Sequence, residues 1–156
     1  MKTKVKLVLS LLTPVLVGVI SGLITRESVN DWFVSVKKPS FNPPNEVFAP
    51  VWTILYLLMG TAFFFVWKSD APADNKRQAY VFYGIQLGLN FLWSLIFFGT
   101  HQVGIALVEI IILWLMILAT TILFRGISRV AGWLMVPYIC WVCFAAVLNY
   151  FIWRLN

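Results

Sequence analysis

The chain has 156 residues, 61% of them apolar and only 12% charged, and its mean hydropathy is +0.87. A soluble domain carries about 25% charged residues, so this composition argues against a water-soluble globule. The net charge of +6 sits at the N-terminus and in the gaps between apolar runs. That distribution suits lipid headgroups; no basic stripe, zinc-finger spacing or RNA-binding aromatic motif points to nucleic acid.

The first apolar run covers residues 5–25, after Lys2, Lys4 and Lys6. It is longer than the roughly 7–15 residues of a signal-peptide core, and no A-x-A cleavage site follows, so it is expected to be retained. Pro14 should bend it. Gly18 and Gly22 form a G-x-x-x-G that permits close helix contact.

Residues 26–45 form the one long connection. Its prolines restrict their own φ and the residue before them, while Trp32, Phe33 and Phe41 carry large surfaces that favour packing. The segment therefore reads as a lid on one end of the bundle, partly helical near residues 30–36. Asn45 is a candidate cap for the next helix, with Pro50 near its first turns.

The second run, 47–67, places Trp52, Tyr56, Met59 and Phe63 on one face. The third, 79–98, places Gln86, Asn90, Trp93 and Phe97 on one face. Side-chain amides within a membrane need partners, so that stripe should point inward. Gly84 and Gly88 form a second G-x-x-x-G on another face, suited to helix or subunit contact.

His101 falls in the short turn before the fourth run, 103–124, where a solvated or headgroup position is the ordinary one. Glu109 lies roughly 9 Å inside that run at 1.5 Å per helical residue. An acid at that depth either makes a structural hydrogen bond or serves function. The fifth run, 131–153, places Trp141, Ala145, Leu148 and Ile152 on one face, with Asn149 adjoining. Its C-W-V-C, Cys140 and Cys143, has too few partners for a structural zinc site and reads as small apolar packing. Trp67, Trp153 and Trp32 suit the membrane interface.

Runs of about 20 apolar residues span a bilayer, so the expected fold is all-α: a single integral membrane domain of five transmembrane helices, with a long first loop capping one end. Of the twelve basic residues, eight fall on the side of the N-terminus and four on the other. The positive-inside rule then places the N-terminus in the cytoplasm.

With six acidic residues and one histidine, no catalytic triad, paired-carboxylate site or metal site can be assembled from any one segment. Large aromatics beside small residues and amides instead suit a cavity for a flat lipophilic molecule. Core packing and interface anchoring are the plainer alternatives for the same residues.

Four stretches carry a specific resemblance: W-F-V-S-V-K-K-P-S-F-N-P-P (32–44), P-V-W-T-I-L-Y (50–56), L-N-F-L-W-S-L-I-F-F-G (89–99) and P-Y-I-C-W-V-C-F-A-A-V-L-N-Y-F-I-W-R-L-N (137–156). In this order they resemble the translocator protein family, also called tryptophan-rich sensory proteins or peripheral-type benzodiazepine receptors, and in particular a bacterial member in the cell membrane. The resemblance implies five transmembrane helices, often in a homodimer. It also implies binding of tetrapyrroles, protoporphyrin IX or haem, and of synthetic drug-like isoquinoline carboxamides and benzodiazepines. The porphyrin would be ligand or substrate; no separate cofactor or metal is expected.

Carried over by position, the ligand site comprises Trp32, Pro43, Pro44, Trp52, Asn90, Trp93, Trp141, Ala145 and Leu148. Tyr56 adjoins it on the same helix face as Trp52, and Lys37, Lys38 and Arg26 are placed to meet porphyrin propionates. An enzymatic alternative, light- and oxygen-dependent conversion of protoporphyrin IX to a bilin-type product, would rest on Trp52 and Trp141. Transport of porphyrin or sterol is a third possibility. The family's cholesterol motif is matched by Val147, Tyr150 and Arg154. The chain departs from many relatives at Phe41, Ser94 and Ile105, where those carry Trp, Pro and Trp.

Overall fold

The computed structural model describes all 156 residues, Met1–Asn156. The protein is entirely helical: α1 Thr3–Asn30, α2 Trp32–Ser35, α3 Asn45–Lys68, α4 Ala73–Ser94, α5 Val103–Ile127 and α6 Arg129–Leu155. A five-residue π-helical turn, Leu95–Gly99, extends α4. Five of these units, α1, α3, α4 with its π turn, α5 and α6, are long and apolar enough to cross a membrane. Their outward faces carry Leu12, Leu16, Leu23, Ile111, Leu115 and Ile122 in exposed positions, the side-chain chemistry that acyl chains accept.

The helices run past the apolar stretches at several ends. α1 continues through Arg26 to Asn30, and α4 begins at Ala73, six residues before its apolar run, directly after the extended Pro72. Hydropathy marks where the bilayer ends, whereas hydrogen bonding and proline decide where a helix ends. The lid holds one helical turn, Trp32–Ser35, shorter than the expected 30–36, because Val36 is already extended (φ −69°, ψ 135°). Asn45 does not cap α3: Pro44 holds the cap position with no side-chain bond, and Asn45 is the first helical residue.

The helices close into a ring in which α1 packs on α3, α3 on α6, α6 on α5, α5 on α4, and the end of α4 returns to α1. Two contacts set the α1–α3 spacing. A Cβ on Gly60 would lie 2.6 Å from the Ser10 carbonyl oxygen and 2.9 Å from the Leu11 Cα, so the backbones meet there because Gly60 has no side chain. A Cβ on Gly18 would lie 2.3 Å from the Tyr56 ring. Gly18 thus serves close contact as its motif suggests, but Gly22 does not, since nothing lies within 4 Å of its missing Cβ.

Packing is uneven along the ring. Toward the N-terminal end of α1, Met59, Val66, Ala79, Ile117, Phe124 and Met135 belong to a continuous buried core. Toward the lid, the helices separate around a hollow.

Candidate functional site

The hollow is a cavity of about 540 Å³ beneath the lid. Four spanning units wall it: α1 from Val15 to Asn30, α3 from Asn45 to Tyr56, the end of α4 with its π turn, and α6 from Trp141 to Ile152; α5 contributes nothing. Phe33 and Asn42 close it from the lid.

Three indoles converge on this space, Trp52, Trp93 and Trp141. Trp52 stacks on Tyr56 one turn along α3, with ring centres 5.6 Å apart and 29° between planes. Trp93 donates from Nε1 to Oδ1 of Asn149 over 3.0 Å. Asn149 in turn donates to the Val103 carbonyl at 2.9 Å, so one amide locks the Trp93 ring and ties α6 to the start of α5. Trp141 packs edge-on against Phe48, 6.0 Å between centres, and its buried Nε1 has no hydrogen-bond partner. The π turn lets Ser94, Phe97 and Phe98 all reach the cavity. Such wide turns often mark functional positions.

Behind this wall runs a buried polar chain. Tyr56 donates to Asn90 Oδ1 at 2.9 Å, Asn90 Nδ2 donates to the Tyr138 hydroxyl at 2.7 Å, and Tyr138 donates to Gln86 Oε1 at 2.9 Å. Gln86 and Asn90 are buried, as their place on an inward stripe requires. Asn90 supports the wall through Tyr56 and lies outside the lining.

Of the residues singled out from sequence, Trp52, Tyr56, Trp93, Trp141, Ala145 and Leu148 meet in the cavity. Trp32, Lys37, Lys38, Pro43 and Pro44 of the loop do not join them. Trp32 lies against the outer side of the lid, stacked on His101 at 4.2 Å and 11°. Lys38 turns back so that its ammonium donates to the Phe33 and Val36 carbonyls and sits 4.5 Å above the Phe33 ring. Loss of hydration lowers its pKa below the ordinary lysine value.

Lys37 is exposed, and its backbone pairs with Asn156, whose side chain accepts from the Lys37 N–H at 3.1 Å and donates to the Lys37 carbonyl at 2.9 Å. Pro43 and Pro44 belong to the extended part of the lid, outside the cavity lining. Val147 and Tyr150 of the cholesterol motif face outward from α6, each 43% exposed, and Arg154 is exposed on its last turn.

Cys140 and Cys143 are free and exposed on the outside of α6, so they do not serve as interior packing. Glu109 is buried on α5, and neither carboxyl oxygen has a partner. The structural hydrogen bond that was one of its two readings is not made, and the buried residues nearest it along α5, Ala106, Ile110 and Leu113, are apolar.

Apart from Arg26, the wall supplied by α1 is not marked as ligand-facing by the sequence. Ser21, Gly22, Thr25, Arg26 and Asn30 all line the cavity. The available signal was a row of small residues at helical spacing, Gly18, Ser21, Gly22 and Thr25, along one face of an otherwise bulky helix.

Comparison with known proteins agrees with this architecture. The TspO/MBR family model matches residues 10–154. The chain is 40% identical over 151 residues to "Tryptophan-rich protein TspO" of Archaeoglobus fulgidus, covering 97% of both chains. It is 36% identical over 148 residues to "Translocator protein" of Bos taurus, covering 93% of this chain and 86% of the relative. To "Tryptophan-rich sensory protein" of Cereibacter sphaeroides it is 39% identical over 127 residues, covering 81% and 78%. A match of this extent, on a ring of five apolar spans around a tryptophan-lined hollow, places the chain in the TspO/MBR family as an integral membrane protein.

Proposed function

We propose that the protein binds a flat lipophilic ligand in the cavity under its lid, with a porphyrin such as protoporphyrin IX or haem as the first candidate. The observation that carries this reading is the convergence of Trp52, Trp93 and Trp141, from three separate helices, on one space of about 540 Å³. Ligand sites are commonly about 300–1,000 Å³, largely apolar, with a few placed polar groups. Here Ser21, Thr25, Asn42 and Asn149 are such groups, and Arg26 is the cationic side chain in the lining. Of the three basic residues placed to meet a propionate, Arg26 is the one in the lining, and both lysines lie elsewhere.

Drug-like isoquinoline carboxamides match the same combination of aromatic walls and amides. The proposal includes an N-terminus in the cytoplasm, from the eight-to-four division of basic residues, and a homodimer using the exposed, uncrowded face of Gly84 and Gly88 on α4.

One observation favours a second, enzymatic reading. Trp52 lines the cavity and touches two tyrosines: it stacks on Tyr56 and meets Tyr138 edge-on at 6.3 Å. If a photo-excited porphyrin with dioxygen oxidises Trp52, these rings offer a path for the electron hole. Illumination of the purified protein with protoporphyrin IX separates the readings. A bilin-like absorption formed by the wild type and lost in Trp52→Phe/Trp141→Phe supports turnover. Saturable binding with equal bleaching in both leaves binding alone. No saturable binding to the wild type defeats both.

A further inference from the structure

A second pocket, of about 600 Å³, opens at the lid end of the bundle on the other side of α2. Trp32, His101, Gly104, Trp153 and Arg154 contribute to its walls. It is separate from the cavity: Phe33, Phe97, Ala106 and Ile152 form a small apolar cluster between the two, with Trp32 and Val103 packed on its outer side.

Several features hold this pocket in shape. The Trp32 ring lies flat on His101, and His101 Nε2 is 2.6 Å from the Ser28 hydroxyl. His101 itself has φ 57°, a left-handed conformation uncommon for a side-chain-bearing residue. A Cβ on Gly104 would stand 3.0 Å from Trp153 Nε1, so the absent side chain lets that indole lie against α5 and leaves the space open. Asn156 also lines the pocket, but its side chain is committed to Lys37 and the Ile152 carbonyl.

Arg154 is the cationic side chain of the lining, and no Asp or Glu side chain lines the pocket. A guanidinium presents planar paired N–H donors that match phosphate oxygens. Indoles that pair an apolar body with one N–H suit the depth at which headgroups lie.

We propose that this pocket binds a phosphate group, with Arg154 as its main contact and Trp32 and Trp153 flanking whatever carries it. A phospholipid headgroup and free phosphate share this chemistry, and neither depends on the porphyrin reading of the cavity.

The test uses the full chain in a phosphate-free, non-ionic detergent. Dihexanoyl phosphatidylglycerol and inorganic phosphate are titrated separately, with binding followed by phosphorus-31 line broadening. Wild type is compared with Arg154→Gln, with Gly104→Val, which drives the Trp153 indole toward the pocket, and with Arg125→Gln as a control at the other end of the bundle. Saturable broadening of the lipid signal by wild type and Arg125→Gln, at least fivefold weaker in Arg154→Gln and Gly104→Val, supports a headgroup site. The same pattern with inorganic phosphate alone supports a free-anion site. No saturable binding of either probe, or equal binding by wild type and Arg154→Gln, overturns the proposal. Thermal unfolding confirms that each variant is folded, and Arg154 is exposed enough for its substitution to leave the bundle intact.

Discussion

Tyr56 and Asn90 are joined by a buried hydrogen bond of 2.9 Å, the phenol donating from α3 to the amide oxygen on α4. One edge of the Tyr56 ring faces Gly18 of α1, and Trp52 stacks on the ring. The amide therefore fixes the floor of a cavity it does not touch. Asn90→Leu leaves the Tyr56 hydroxyl without its acceptor, a loss of about 1–3 kcal/mol for a buried group, and also takes one donor from Tyr138, which keeps its bond to Gln86. Tyr56→Phe leaves one buried acceptor, Asn90 Oδ1, without its donor, about 1–3 kcal/mol, but keeps the Asn90–Tyr138 and Tyr138–Gln86 bonds, the first of which Asn90→Leu breaks. Thermal unfolding in detergent should show the larger fall for Asn90→Leu; the reverse order would mean that the chain of bonds does not support the wall.

The two glycines of α1 predict opposite outcomes for the same substitution. Gly18→Ala sets a methyl 2.3 Å from the Tyr56 ring, whereas Gly22→Ala meets nothing within 4 Å. Overpacking of this kind costs about 1–3 kcal/mol. The melting midpoint should fall for Gly18→Ala and hold for Gly22→Ala. Equal midpoints would contradict the close approach of α1 and α3.

Gly60 sets the same spacing from the other side. Gly60→Ala forces its Cβ against the Ser10 carbonyl, and backbone cannot yield as a flexible side chain does. Destabilisation of about 1–3 kcal/mol is expected, with faster proteolysis in α1. Wild-type protease resistance would count against the contact.

The lid is tied to α6 by one amide, since Asn156 pairs with both backbone groups of Lys37. Asn156→Ala removes both bonds and leaves the cavity walls untouched. Net losses of about 0.5–1.5 kcal/mol per bond correspond to roughly tenfold faster dissociation of a cavity ligand, measurable by stopped-flow chase. An unchanged rate would show that the lid is held without Asn156, by Phe33 in its apolar cluster and by Phe41 packed on Phe144 and Phe151 of α6.

The five spans were legible because the bilayer imposes a length and an apolar content that the chain meets five times. The inward stripe of Gln86 and Asn90 was legible for a related reason: amides inside a membrane must find partners. Two parts of the site were hidden. Ser21 and Thr25 bond to carbonyls of their own helix, Gly18 and Ser21 respectively, so their hydropathy and spacing announce no ligand face. Lys38 has a flexible stem, and sequence cannot tell whether its ammonium reaches a ligand or, as here, the carbonyls at the end of α2. The helix boundaries were blurred by polar first and last turns, which stand outside the hydrophobic slab yet remain helical.

Affinity for protoporphyrin IX in wild type and Gly22→Leu, read from the Soret band in detergent, tests the cavity most directly. Nothing lies within 4 Å of the missing Gly22 Cβ, so the leucine grows into the hollow and the bundle stays folded. At least tenfold weaker binding with an unchanged melting midpoint is the predicted result. Equal affinity in the two proteins would place the porphyrin somewhere other than the space between Trp52, Trp93 and Trp141.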